Sequence, residues 1–353
     1  MSDSFAMARA RAALSEAGLA IDIPLQRASS VTNEVWLADE YVIRVNRRAN
    51  RRLRREAALG ALLPPEVQYP QIIAYGGQLG ADWLITERLP GEMLAKAWPA
   101  MSDFERRNAV RQLAAMLRAL HSVPCPPELA LLDDAPQLLD PTRIPIVEPL
   151  LRALDELEQT RGVDRALIAD TRHLVLASTP ALEPYTTDTL VHGDLHFQNV
   201  LWDGFTVTGL LDLEWARGAP PDVDLDVFLR FCAHPAWHVA EDYARATRVE
   251  DYRLVPYWLA EYYPALFDHE YVLERTLLYA ISYDVHELRR ELTERPITGP
   301  TRDLPEWHPH KRLENTLRGR SHLHRLAGQV AWDAEDLDDD LPGDPPLAPH
   351  PHR

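Results

Sequence analysis

The chain has 353 residues, which is enough for a large core and for a cleft between two lobes. Its formal net charge of -17 argues against a nucleic-acid partner, which would require a basic surface; it would attract a cationic ligand, or serve only solubility. The sequence has two cysteines, no basic segment followed by an apolar run at its start, and no long uncharged apolar stretch. These features predict a cytoplasmic protein with no membrane-spanning segment.

Residues 1–90 have the pattern of a small, mainly β lobe. Apolar spacing predicts a helix over 5–17 and a second helix over 51–63. Runs rich in β-branched and aromatic residues predict four strands, over 34–37, 41–45, 71–75 and 83–88. The sequence Leu89-Pro90-Gly91 interrupts these patterns and marks the end of the lobe.

Residues 91–330 have a mainly helical pattern. Ser102 and Glu105 have the spacing of a capping box at the start of a long helix that ends near His121. Further helices are predicted over 147–160, 164–177, 223–232, 237–246, 251–263, 270–294 and 311–330. Residues 331–353 are acidic and proline-rich, a composition that predicts a disordered tail. The whole pattern is that of an α+β protein.

The stretch 191–201, Val-His-Gly-Asp-Leu-His-Phe-Gln-Asn-Val-Leu, carries the strongest chemical signal. Asp194 and Asn199 have the spacing of a kinase catalytic loop, in which the carboxylate accepts the proton of a substrate hydroxyl and the amide oxygen holds magnesium. The turn Asp203-Gly204 then predicts a β-hairpin whose second strand ends at Asp212, so that the returning strand brings Asp212 beside Asn199. Both side chains offer the oxygen ligands that Mg²⁺ prefers.

The motif His-Gly-Asp-Leu-His-x-x-Asn-Val-Leu, followed by Leu-Leu-Asp-x-Glu, resembles that of the aminoglycoside phosphotransferase family, the antibiotic-kinase and choline-kinase-like branch of the protein kinase fold. The resemblance spans residues 20–295 and implies a two-lobed fold with a small mainly β N-terminal lobe and a large mainly helical C-terminal lobe. It implies Asp194 as catalytic base, and Asn199 and Asp212 as metal ligands. Asp224 is implied as a buried support of the loop, and His192 reads as a hydrogen-bonded loop residue.

The resemblance also places a phosphate-binding residue in the N-terminal lobe. Arg44 occupies the strand position where the family usually carries a lysine or arginine, with Glu56 as its expected partner. A guanidinium keeps the positive charge and binds phosphate oxygens through two N–H groups. The neighbouring arginines are predicted to form a solvated helix face rather than a nucleic-acid surface; they are Arg47, Arg48, Arg51, Arg52, Arg54 and Arg55.

The remaining nucleotide contacts are expected from two segments. Ser30 and Asn33 lie where the family has its nucleotide loop, although an ordinary turn is an equal alternative for this segment. Residues 86–89 are expected to form the hinge that meets the base, with Glu87 and Leu89 contributing mostly main-chain atoms. No Walker-type Gly-Lys-Ser/Thr sequence is present, which excludes a P-loop enzyme. The nucleotide can be ATP or GTP.

The acceptor site is expected in the helices after Asp224. Aromatic faces and carboxylates there suit a polar, partly cationic small molecule. The residues predicted to contact it are Glu214, Trp237, Glu241 and Asp284. For Glu214 the alternatives are a second metal, a cationic substrate or exposure to solvent.

We therefore predict an O-phosphotransferase that uses ATP or GTP with Mg²⁺ and acts on an antibiotic or another natural product. A metabolic kinase for choline, homoserine or a sugar uses the same chemistry and is the alternative. A protein kinase would carry an arginine before Asp194 and Asp-Phe-Gly at 212–214, and this chain has neither. An inactive binding module on the same fold is opposed by the complete set of Asp194, Asn199 and Asp212, while the arginine at position 44 leaves it open.

Overall fold

The computed structural model describes residues 3–28, 33–131 and 135–324. Its N-terminal part is built on an antiparallel sheet of five strands in the spatial order β1-β2-β3-β5-β4. The strands are β1 (Gln26–Ala28), β2 (Asn33–Leu37), β3 (Tyr41–Asn46), β4 (Ile72–Gly76) and β5 (Trp83–Glu87). In this sheet β3 is central, so its main chain is hydrogen-bonded to a strand on each side.

Two helices pack on this sheet. The helix α1 (Asp3–Glu16) buries an alanine-rich face, with Ala10 and Leu14 in one cluster with Ile43 and Ile85. The helix α2 (Arg52–Gly60) buries not only leucines but also Arg55 and Glu56. Buried charges are costly unless they are paired, so the polar face of α2 must meet partners elsewhere.

The C-terminal part is mainly helical, and α4 is its longest early element. Ser102 and Glu105 form the predicted capping box: the Ser102 hydroxyl accepts from the Glu105 N–H, and the Glu105 carboxylate accepts from the Ser102 N–H. The helices are α3 (Leu94–Ala97), α4 (Asp103–His121), α5 (Glu148–Glu158), α6 (Arg165–Ser178), α7 (Asp222–Ala233), α8 (Glu241–Ala244), α9 (Val255–Tyr262), α10 (Val272–Glu294) and α11 (Pro309–Leu317). Their apolar stripes form two large clusters of buried side chains.

The described residues also form two small sheets. One consists of β6 (Glu92–Met93), β8 (Val200–Trp202) and β9 (Val207–Leu210), and the other of β7 (Leu190–Val191) and β10 (Arg217–Gly218). The segment 192–199 therefore leaves β7 and enters β8, while the segment 211–216 leaves β9 and enters β10. Both segments are fixed at both ends by strand pairing.

The predicted elements are mostly present, and the differences have local reasons. The helix predicted over 237–246 is only the short α8, since a proline turn, Pro235–Trp237, precedes it. The last helix, predicted to continue to residue 330, ends at Leu317 because Gly319 adopts a φ of 66°. The two- and three-residue strands β1, β6 and β10 were not predicted. Cys125 and Cys232 are buried free thiols.

No helix within the described ranges is long and apolar enough to cross a membrane. The lobe boundary near residue 90 stays a prediction. The acidic tail, 331–353, lies outside the described residues.

Candidate active site

The loop that follows β7 is held by Asp224, which is fully buried in the first turn of α7. Its carboxylate accepts from the N–H of His192 at 2.8 Å, from the N–H of Gly193 at 2.7 Å and from His121 Nε2 at 3.0 Å. Burial alone would raise the pKa of Asp224, but the bonds from His121 and the loop lower it below its ordinary value. Asp224 thus binds the main chain of the loop, and its role as support of the catalytic loop stays a prediction.

Glycine is required beside Asp194. Gly193 has a φ of +79°, and a Cβ added there would lie 2.3 Å from the carbonyl oxygen of Trp215. The loop can approach the segment after Asp212 this closely only because Gly193 has no side chain.

Replacing Asp224 by asparagine should therefore disturb the loop more than a surface change would. One carboxylate oxygen becomes an NH₂ group that faces an N–H donor, so we expect the free energy of unfolding to fall by about 2 kcal/mol. Phosphoryl transfer should fall about 100-fold because Asp194 loses its fixed position. Urea unfolding and steady-state kinetics measure the two effects. Asp170→Asn, an exposed change on α6, is the matched control, and equal behaviour of the two variants would contradict the supporting role.

Asp194 follows the two residues, His192 and Gly193, that Asp224 binds. Its side chain keeps 37% of its surface exposed, and one oxygen lies 3.5 Å from His196 Nε2. Burial would raise the pKa of Asp194, yet the charge of His196 and its hydrogen bond lower it to about 2. Burial would lower the pKa of His196, but the Asp194 carboxylate raises it. Asp194 is therefore an ionised hydrogen-bond acceptor beside the imidazole of His196.

Asn199 and the residue before Asp212 are joined by the hairpin, as its antiparallel geometry predicts. The N–H of Leu211 donates to the carbonyl oxygen of Asn199 at 2.7 Å, and His192 Nε2 donates to the carbonyl of Leu211 at 2.9 Å. The Asn199 amide nitrogen donates to the carbonyl of Asp194 at 2.9 Å, which leaves its amide oxygen as the atom for a ligand. Asp212 has a φ of 64°, a left-handed conformation that aspartate tolerates.

The oxygens of Asn199 and Asp212 fit a magnesium ion by their chemistry. Both are hard ligands, and Asp212 keeps a third of its side chain exposed, so a cation can reach it. Their roles as metal ligands stay predictions.

Arg44, on the central strand β3, joins the two parts of the molecule. Its Nη1 donates to Glu56 Oε1 at 2.6 Å and its Nη2 to Asp212 Oδ1 at 3.0 Å, while Glu214 lies 3.9 Å away. The expected pairing of Arg44 with Glu56 is thus seen in the structure. Burial would lower the pKa of Arg44, but these carboxylates raise it, so the guanidinium stays charged.

Negative charge is in excess around Arg44. Burial, followed by the charge of Asp212, raises the pKa of Glu214 to about 8, and burial raises the pKa of Glu56 as well. Glu214 is buried and its Oε1 accepts from Arg52 Nη1 at 3.3 Å, so the alternative that Glu214 faces solvent is wrong.

Two arginines of α2 cross to the other part of the chain. Arg52 stacks over the ring of Trp215 at 3.9 Å, and Arg55 Nε donates to the carbonyl of Ala216 at 2.8 Å. Arg55 also donates to the carbonyls of Leu131, at 3.1 Å, and of Leu129. The prediction of a solvated arginine face is therefore wrong for Arg52 and Arg55, because both bind groups that the fold brings to α2.

The expected nucleotide segments have defined places in the described part of the chain. Glu87 ends β5 opposite Tyr41, and its N–H donates to the carbonyl of Gln71 at 2.8 Å. Leu89 packs against Gly209 of β9, where an added Cβ would lie 2.6 Å from Leu89 Cδ1. Residues 87–89 thus pass from the large sheet to the hairpin, as a hinge does.

The predicted nucleotide loop is only partly described. Asn33 is buried at the start of β2, opposite Asn46, and Ser30 lies outside the described residues. The roles of Ser30, Asn33, Glu87 and Leu89 in nucleotide binding stay predictions.

The residues predicted to contact the acceptor have different neighbours in the structure, and their role in acceptor binding stays a prediction. Trp237 stacks on His234 at 3.9 Å, and Glu241 is exposed at the start of α8. Asp284 is buried and accepts from Arg312 Nε at 2.8 Å, so its carboxylate is committed within the fold and does not support direct contact with a ligand. Glu214 belongs to the Arg44 cluster described above.

Some contacts of the site were not predicted from the sequence. The hydroxyl of Tyr69 donates to Glu56 Oε1 at 2.6 Å, and His121 donates to Asp224. His121 is the last residue of α4. Helical periodicity predicts the buried face of a helix, but it does not show that the side chain at the helix end contacts Asp224. The only sequence signal for Tyr69 is its aromatic ring in the proline-rich connection between α2 and β4.

A two-lobed α+β fold, with an aspartate and an asparagine on one loop and a second aspartate on the returning strand, defines a kinase-like class of protein. A family model described as the phosphotransferase enzyme family matches residues 25–258. The chain belongs to this family.

Two curated proteins are similar over part of the chain. The aminoglycoside 3'-phosphotransferase of Streptomyces fradiae is 33% identical over 153 residues, 42% of this chain and 52% of that protein. The enzyme of the same description from Streptomyces ribosidificus is 31% identical over 170 residues, 46% of this chain and 59% of that protein. The chain thus spans little more than half the length of these relatives.

Solved structures agree in fold. The apo form of a thermostable mutant of aminoglycoside phosphotransferase APH(4)-Ia superposes with a TM-score of 0.59 at 13% identity, covering 91% of this chain and 99% of that one. The ADP-bound aminoglycoside phosphotransferase APH(2'')-Ib gives a TM-score of 0.55 at 18% identity, covering 92% and 99%. At such identities the likeness concerns the fold alone.

Proposed function

We propose that this chain transfers the γ-phosphoryl group of ATP, or of GTP, to a hydroxyl group of a small molecule. The observation that carries the proposal is the placement of an ionised, partly exposed Asp194 on a loop whose far end, Asn199, is bonded to the residue before Asp212. The N-terminal part, to about residue 90, would hold the nucleotide, and the helical part would hold the acceptor.

The residues of this chain have separate tasks in the proposed reaction. Asp194 accepts a hydrogen bond from the acceptor hydroxyl and takes its proton as the oxygen bonds to the γ-phosphorus and the bond to the leaving nucleoside diphosphate breaks. Arg44 binds phosphate oxygens and neutralises their charge. Asp224 keeps Asp194 in place throughout.

Asn199 and Asp212 would hold Mg²⁺ through their oxygens. When bound, the ion supplies positive charge to the phosphate oxygens. Because Asp212 Oδ1 already accepts from Arg44, the same carboxylate would connect the ion and the phosphate-binding arginine.

An antibiotic or another natural product is the acceptor that similarity favours, because both curated relatives are described as aminoglycoside 3'-phosphotransferases. A complex of APH(4)-Ia contains ADP and hygromycin B. A cationic acceptor of this kind also suits the net charge of -17. A metabolic kinase remains the alternative, and either enzyme would work in the cytoplasm, where ATP is made.

The experiment is a Mg²⁺-dependent transfer assay with ATP and with GTP against hydroxylated antibiotics, choline, homoserine and sugars, with product mass as the readout. A gain of one phosphoryl group on one acceptor supports the proposal and names the substrate class. ATP binding without transfer to any member of a broad panel would contradict small-molecule transfer. Phosphorylation of a protein in the mixture would instead indicate a protein kinase.

A further inference from the structure

Tyr69 lies where α2, β9 and the Arg44 cluster meet. It follows the turn Pro65–Val67, and its ring is partly buried against the core below α2. The main chain just before it is fixed, because the carbonyl of Gln68 accepts from the N–H of Leu210 at 3.3 Å. The segment that carries Tyr69 is therefore bound to the strand that leads to Asp212.

Glu56 uses one oxygen for all of its described hydrogen bonds. Its Oε1 accepts from Arg44 Nη1 at 2.6 Å, from the Tyr69 hydroxyl at 2.6 Å and from the N–H of Leu213 at 3.4 Å. Its Oε2 is buried and has no hydrogen-bond partner among the described residues. These three donors converge from different elements, so together they fix the rotation of the Glu56 carboxylate and hold one oxygen toward Arg44.

A glycine makes room for the tyrosine. A Cβ added to Gly60, four residues after Glu56 on α2, would lie 2.9 Å from Tyr69 Cε1 and 2.5 Å from Ile72 Cδ1. The ring can therefore lie close to the helix, with its hydroxyl directed at Glu56. Burial, followed by the charge of Glu56, raises the pKa of Tyr69 well above its ordinary value, so the hydroxyl stays a donor at every working pH.

We propose that Tyr69 is a positioning residue: by its hydrogen bond to Glu56 it fixes the carboxylate that aims Arg44 at the phosphates. This inference rests on the proposed function, since it assigns Arg44 to the nucleotide. Without the hydroxyl, two donors instead of three hold the Glu56 carboxylate, so its orientation is less restricted and the competing carboxylate of Asp212 draws Arg44 more strongly.

The test is Tyr69→Phe, which removes one oxygen atom and keeps the ring. Losing a hydrogen bond to a charged group should weaken ATP binding, so we expect the Kd for ATP with Mg²⁺ and the KM for ATP to rise about tenfold. The KM for the acceptor should stay constant. The matched control is Tyr252→Phe, because Tyr252 is fully buried and its hydroxyl has no hydrogen-bond partner in the described part of the chain. It should bind ATP like the wild type.

A double-mutant cycle distinguishes positioning from general destabilisation. If Tyr69 acts through Arg44, Tyr69→Phe should change the Kd for ATP by less than about twofold in an Arg44→Ala background, whereas independent effects would multiply. A wild-type Kd in Tyr69→Phe, or the same tenfold loss in both backgrounds, would overturn the inference.

The failure of this inference and that of the proposed function are distinguishable. The Kd for ATP is measured without turnover, so a wild-type protein that binds ATP but transfers nothing contradicts the proposed function and still lets the cycle decide on Tyr69. A wild-type protein that binds neither ATP nor GTP would overturn both, and if only GTP binds, the same cycle is measured with GTP.

Discussion

The variant Asp194→Asn should lose phosphoryl transfer by about 10³-fold or more and keep the nucleotide affinity of the wild type. The amide cannot take the hydroxyl proton, while it preserves the size of the side chain on a loop that Asp224 holds by its main chain. Nucleotide affinity is spared because Arg44 bonds to Glu56 and Asp212 and not to Asp194. The measurement pairs single-turnover transfer with ATP titration by calorimetry.

Asp170→Asn on the exposed face of α6 carries the same change of charge and should transfer at the wild-type rate. Turnover by Asp194→Asn within tenfold of the wild type would exclude Asp194 as the base, whatever the acceptor is.

Asp194 also determines an expected pH dependence. The pKa of Asp194 is lowered to about 2, so the carboxylate is ionised throughout the range in which the enzyme can be assayed. A lowered pKa in an acid means that its contribution to folding stability is present above the unfolded-state pKa of about 3.9 and is lost only as pH falls toward 2. We therefore expect that protonation of Asp194 causes no fall of kcat/KM of the wild type between pH 7 and pH 5, and a pH profile of kcat/KM in this range measures it.

The variant Asp212→Asn should lose transfer by about 10²-fold to 10³-fold and, unlike Asp194→Asn, should also lose the dependence of ATP binding on Mg²⁺. The change removes the negative charge that would face both the expected Mg²⁺ ion and Arg44, since Asp212 Oδ1 accepts from Arg44 Nη2 at 3.0 Å. Asparagine tolerates the left-handed φ of 64°, so the main chain is not disturbed.

Titration of transfer and of ATP affinity with Mg²⁺ measures this effect. The control is again Asp170→Asn. A Mg²⁺ dependence identical to that of the wild type would remove Asp212 from the set of metal ligands and would leave Asn199 without its expected partner.

The parts of the site that depend on local spacing could be predicted from the sequence. The hairpin turn at Asp203-Gly204 determines that Asp212 returns toward Asn199, whereas the role of Arg44 was expected only from the family resemblance. The capping box at Ser102 predicts where α4 begins for the same reason, because both partners are three residues apart.

The parts that depend on distant segments could not be predicted. Arg55 looks like any arginine on a polar helix face, and its acceptors are main-chain carbonyls that every residue has. Tyr69 lies in an irregular connection, where no periodicity shows which way a ring points. Asp284 looked available beside aromatic residues, but the partner that occupies it, Arg312, comes from α11. An acceptor site depends on contacts of this long-range kind.

The three carbonyl acceptors of Arg55 have a consequence for control. In protein kinases the helix that carries the equivalent of Glu56 is brought into place by phosphorylation of an activation loop. Here Arg55 fixes α2 to Leu129, Leu131 and Ala216 through groups that can be neither ionised nor phosphorylated. The proposed phosphotransferase would therefore need no phosphorylation to bring α2 into place.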